Sequence, residues 1–70
     1  MLDSYLKKYR LKNNLTQAQM AEMLKTSQGY YSYLENGVRK PGINMINRIA
    51  KLLNLEPSFV RSLLWKLQIN

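Results

Sequence analysis

Leu2, Leu6 and Tyr9 stand four and three positions apart, the spacing that gathers side chains on one stripe of a helix. This predicts a first helix over about Leu2 to Lys12. Asp3 suits the positive end of its dipole, and Asn13-Asn14 supplies a stop because asparagine tolerates the left-handed conformation. Leu11 falls off the stripe and is expected to face solvent. Thr16 and Gln19 form a T-x-x-Q capping box that opens a second helix, with Met20, Ala21 and Leu24 facing inward and Lys25-Thr26 making a turn. Ser27 is placed to cap a third helix that runs to about Asn36, with Tyr31 and Leu34 inward. Gly37 then stands where positive φ costs nothing. The run Gly29-Tyr30-Tyr31-Ser32-Tyr33 has strand-like propensity. The preceding cap, the closing Asn-Gly and the Tyr31–Leu34 spacing outweigh it.

A basic loop, Val38-Arg39-Lys40-Pro41-Gly42, leads to a fourth helix in which Ile43, Ile46, Ile49, Ala50 and Leu53 are expected to face inward. Asn54 is a left-handed stop. A fifth helix starts near Pro57, whose missing N–H is harmless in a first turn, and carries Phe59, Val60, Leu63, Leu64 and Leu67 as a wide apolar band. The fold expected is all-α, five helices in one compact domain over residues 1–70, with no repeat, low-complexity tract or linker. Met1 reads as a natural start, whereas nothing certifies Asn70 as the natural end.

Seventy residues with 46% hydrophobic content allow one small core. Eleven Lys and Arg against four Asp and Glu leave a net charge of +7, which calls for an acidic partner. Nucleic acid fits better than a membrane surface, because the cations are spread along the chain rather than gathered on one amphipathic segment. Asp3 and Lys7-Lys8 break up any secretory signal, and the longest apolar run, Leu63-Leu64-Trp65, is too short to cross a bilayer. The absence of cysteine fits a reducing cytoplasm. No histidine or cysteine is present, and Asp3, Glu22, Glu35 and Glu56 are too far apart to pair along a helix. With no phosphate-binding glycine pattern either, the chain is read as a non-enzyme with no metal and no cofactor.

Two short capped helices over residues 16–37 in a basic chain point to a helix-turn-helix DNA-binding domain. The order Leu6, Arg10, Leu15-Thr16-Gln17, Met20-Ala21, Leu24, Ser27, Tyr31-Ser32, Leu34-Glu35 and Gly37 carries a resemblance. Pro41, Ile46, Ile49-Ala50-Lys51 and Leu53 extend it. The chain resembles the Cro and phage-repressor type of helix-turn-helix domain, with a lambda-repressor-like five-helix fold. Lys25 stands where that family usually has glycine, Tyr31 where it has an aliphatic residue, and Gly29 where it often has a polar contact residue. The resemblance also puts a small residue at Ala21, where the two helices of the motif cross closely.

The implied function is a sequence-specific double-stranded DNA-binding regulator, a repressor by preference, whose third helix lies in the major groove. With Tyr31 and Leu34 inward, the opposite face offers Gln28, Gly29, Ser32 and Tyr33 to base edges, with Ser27 at its head. Gln28 suits adenine, since its amide can donate and accept at once. Tyr33 could touch a thymine methyl or bond a phosphate. Thr16, Gln17, Asn36, Arg39 and Lys40 are expected on phosphates, contacts that position without reading sequence. The resemblance further implies that Gln17 touches Gln28, and that Arg10 and Glu35 form a partly buried structural ion pair. Leu64, Trp65 and Leu67 on the C-terminal helix, over about residues 57–68, either close the core or form the contact of a homodimer on DNA. A dimer would set two recognition helices about 34 Å apart, one duplex turn. The rival readings are an antitoxin, or another protein-interaction subunit of the same fold with secondary DNA binding, and a domain cut from a longer repressor.

Overall fold

The computed structural model describes residues 2–69; Met1 and Asn70, the two chain ends, lie outside the described residues. Five helices follow in order: α1 (Leu2–Lys12), α2 (Gln17–Met23), α3 (Gln28–Glu35), α4 (Ile43–Leu53) and α5 (Pro57–Ile69). There is no strand among the described residues, and the Gly29–Tyr33 run is helical. The chain forms two compact units, Met1–Lys40 and Pro41–Asn70.

In the first unit, α3 packs on both α1 and α2. Leu2 and Leu6 of α1 are buried, as are Met20, Ala21 and Leu24 of the α2 region and Tyr31 and Leu34 of α3. Burying a leucine side chain fully contributes about 1.5–3 kcal/mol, so these residues dominate the stability of the unit. Tyr9 is half-buried, and Leu11 is 56% exposed. Helix α2 opens on a complete capping box. The Gln19 N–H donates to Thr16 Oγ1 at 3.0 Å, and the Thr16 N–H donates to Gln19 Oε1 at 2.8 Å. Ser27 caps α3, its Oγ accepting from the Tyr30 N–H at 3.2 Å.

The first four helices end in the same way. A residue in the left-handed region, Asn14, Lys25, Gly37 or Asn54, follows the last helical turn. Its N–H bonds back three residues, and the next N–H bonds back five: Leu15 to Arg10, Thr26 to Ala21, Val38 to Tyr33 and Leu55 to Ala50. This double closure satisfies carbonyls that the helix leaves without partners. Asparagine and glycine enter the left-handed region readily, whereas Lys25, at φ 58°, does so against the clash of its own Cβ.

In the second unit, α4 packs on α5. Met45, Ile46 and Ile49 are buried, and Ile43, expected inward, is 53% exposed. The inward face of α4 centres on Ile49. At about 100° per residue, Met45 lies only about 40° from that centre, whereas Ile43 lies about 120° away. Ala50, Leu52 and Leu53 are half-buried, and so are Phe59, Val60, Leu63 and Leu64 of α5.

Candidate nucleic-acid interface

Burial of Tyr31, Leu34 and Glu35 fixes which side of α3 faces away from the unit. On that outward side Gln28, Gly29, Tyr33 and Asn36 are exposed, and Tyr30 and Ser32 are half-buried. A Cβ added at Gly29 would meet nothing within 4 Å, so the gap there is open space and not a packing requirement. Ser27 is exposed at the head of the helix with its oxygen engaged as the cap. Two pairs tie this surface together. Asn36 Nδ2 donates to Ser32 Oγ at 3.3 Å, and the Arg39 guanidinium carbon lies 5.7 Å from the centre of the Tyr33 ring. Lys40 is exposed beside them. Thr16 is exposed at the start of α2 with its hydroxyl oxygen taken up by the capping box.

Beneath this face lies a polar cluster centred on Glu35, whose side chain is only 2% exposed. Arg10 Nε donates to Glu35 Oε2 at 2.7 Å, and Arg10 Nη2 donates to Oε1 at 3.1 Å. The Tyr31 hydroxyl donates to Oε2 at 2.7 Å, and Gln17 Nε2 donates to Oε1 at 3.0 Å. Each carboxylate oxygen therefore accepts two bonds. Arg10 also donates through Nη1 to the Leu15 carbonyl at 3.1 Å, holding the α1–α2 connection. Among the described residues no buried side-chain nitrogen or oxygen lacks a hydrogen-bond partner, the condition under which a buried charge is tolerable.

The electrostatics follow from these contacts. Burial by itself pushes the Glu35 carboxyl upward, but the bonds from Arg10, Tyr31 and Gln17 outweigh it and hold the group at about 2. Burial, then the bond to the Glu35 carboxylate, pushes the Tyr31 phenol well above its ordinary value. The bond to Glu35 raises Arg10, against the opposing effect of its own desolvation. The cluster thus holds one carboxylate, one guanidinium, one neutral phenol and one amide, drawn from all three helices of the unit.

Sequence reasoning paired Arg10 with Glu35 but missed two of the carboxylate's partners. The helical spacing places the Tyr31 ring in the core but gives its hydroxyl no task. Its spacing to Glu35, one helical turn, was the available signal. Gln17, expected on a phosphate and against Gln28, also donates its amide N–H to Glu35. The pairing of Arg39 with Tyr33 was also missed, because it depends on the turn at Gly37.

On the second unit, Trp65 is 61% exposed and Leu67 36% exposed, while Leu64 is half-buried. Arg48, Lys51 and Arg61 line an open cleft together with Asn47 and Asn54. Among the described residues no group of acidic, histidine or cysteine side chains could hold a metal ion, and no helix is long and apolar enough to cross a membrane.

These features agree with what known proteins share with the chain. Residues 6–60 match the helix-turn-helix family. An uncharacterized HTH-type transcriptional regulator, YqaF, of Bacillus subtilis (strain 168) is 34% identical over 56 residues, covering 80% of this chain and 74% of that protein. The ImmF control region 10 kDa protein of Bacillus phage phi105 is 38% identical over 55 residues, or 79% of this chain. The match spans only 61% of the phage protein's length. No solved structure matches. With an all-α fold, capped helices α2 and α3 and a family match over most of its length, the chain belongs to the Cro and phage-repressor type helix-turn-helix family of DNA-binding transcriptional regulators.

Proposed function

We propose that the chain is a sequence-specific regulator of transcription, acting as a repressor, that lays α3 in the major groove of double-stranded DNA. One observation carries this reading. A helix whose inner side is anchored by Tyr31, Leu34 and Glu35 presents Gln28, Ser32, Tyr33 and Asn36 on its outer side. Those side chains can donate and accept hydrogen bonds or make apolar contact at base edges. Gln28 is the principal base reader, with Ser27, Gly29, Ser32 and Tyr33 beside it. Thr16, Gln17, Asn36 and Lys40 meet phosphates, and Arg39 adds its charge there. The net charge of +7 supplies the long-range attraction to the duplex. The control-region name of the phage relative fits a role in gene control.

The regulator acts as a homodimer in the cytoplasm, through the exposed apolar residues of α5, Leu67 and Trp65, with the half-buried Leu64. Two-fold symmetry then requires a two-fold symmetric operator. Selection of bound duplexes from a random DNA pool tests the whole reading. A symmetric consensus, with a column that changes in Gln28→Ala, is the expected result. A pool that yields no consensus refutes it.

A further inference from the structure

Arg39 follows the recognition helix and carries a charge suited to a phosphate, yet its surroundings give it a second task. Gly37, at φ 73°, turns the chain back on α3. The Val38 and Arg39 N–H groups then both donate to the Tyr33 carbonyl, at 2.9 and 3.3 Å. This fixes the backbone of Arg39 against that of Tyr33. The Arg39 guanidinium carbon comes to 5.7 Å from the Tyr33 ring centre, within the range of a cation–π contact. The Tyr33 ring is 48% exposed. A ring this exposed is only partly held by packing, and the guanidinium is a neighbour placed to bias its orientation.

We propose that Arg39 is a specificity-determining residue that acts through Tyr33. Its guanidinium holds the ring in the orientation from which Tyr33 reads a base pair, so a residue outside the recognition helix sets sequence preference. The inference rests on α3 being the groove-reading helix. It separates two tasks that one side chain could perform. A phosphate contact needs only positive charge, which lysine retains. Orienting a ring is done better by a flat, weakly hydrated cation that stacks than by lysine's compact, strongly hydrated ammonium.

The test is selection of bound duplexes from a random pool with the wild-type chain, Arg39→Lys, Tyr33→Ala and the double variant. These are surface substitutions, and circular dichroism checks that each variant is folded. Arg39→Lys and Tyr33→Ala are expected to flatten the same base-pair column, with discrimination there falling about 2- to 5-fold in Arg39→Lys. Adding Arg39→Lys to Tyr33→Ala should change that column no further. Arg39→Lys keeping the wild-type column, or flattening a different column from Tyr33→Ala, overturns the proposal. So does a Tyr33→Ala selection that flattens none. A wild-type chain that selects no consensus is a different failure, since it removes the reading of α3 itself.

Discussion

The Tyr31 hydroxyl donates to Glu35 Oε2 at 2.7 Å, one turn further along the same helix. Both residues are buried, Tyr31 fully. The ring fills the core while its hydroxyl helps neutralise the carboxylate that also receives Arg10 from α1 and Gln17 from α2. Packing of α3 and its electrostatic anchoring therefore meet in one side chain. That coupling fixes the angle at which the outward face of α3 is offered.

Tyr31→Phe keeps the ring and removes only this bond. Hydrogen bonds to a buried charge are worth about 1.5–3 kcal/mol, and urea unfolding should show a loss of that order with an unchanged slope. Unaltered stability would mean that the hydroxyl does not support Glu35.

Glu35→Ala leaves Arg10, Gln17 and Tyr31 facing a void. Breaking a buried pair from one side costs about 3–5 kcal/mol. Glu22, exposed on α2, should cost no more than about 0.5 kcal/mol when changed to Ala. Thermal melts of the two variants compare them directly, and equal shifts would contradict a structural role for the Arg10–Glu35 pair.

The cluster also sets a pH dependence. The folded-state value of Glu35, about 2, lies below the ordinary 4.5. The stability it contributes is complete above the unfolded value and drains away as pH falls from about 4.5 toward about 2. The stability difference between the wild-type chain and Glu35→Gln should shrink across that window. Tyr31 behaves oppositely. Its raised folded-state value means that its neutral form stabilises the fold, and this contribution is lost only as pH rises past the ordinary phenol range. A stability difference that stays flat through the acid window contradicts the assignment.

Lys25 holds a left-handed conformation at φ 58° while closing α2. Glycine adopts it without the Cβ clash, at some cost in unfolded-chain entropy. Lys25→Gly should stabilise the protein by about 1 kcal/mol, read as a raised melting temperature. A lowered one would show that the lysine side chain contributes more than its backbone conformation costs.

Where helices begin and end was legible because the chain marks those points chemically. Thr16 with Gln19, Ser27, Asn14, Gly37 and Asn54 are residues whose side chains or φ preferences act locally, within a turn of the boundary. Lys25 carries no such mark, so its left-handed closure could be suspected only from the family's usual glycine. The inward side of α4 is rotated slightly from the face the isoleucine spacing marks, burying Met45 and exposing Ile43. In the site, the outward list on α3 followed from the inward positions Tyr31 and Leu34. The engagements of Gln17 with Glu35 and of Arg39 with Tyr33 join residues from different turns or helices. Only three-dimensional packing brings them together, so single-residue roles assigned along the sequence could not foresee them.

The outward side of α3 is the surface we propose to meet DNA. Titrating the isotope-labelled chain with its selected duplex, and following each backbone amide by NMR, tests it most directly. The account predicts that the largest shifts fall on Gln28, Gly29, Ser32 and Tyr33, continue through Asn36 to Lys40, and include Thr16 and Gln17. Shifts concentrated instead on α5, or on the exposed side of α1 around Lys8 and Leu11, would contradict it.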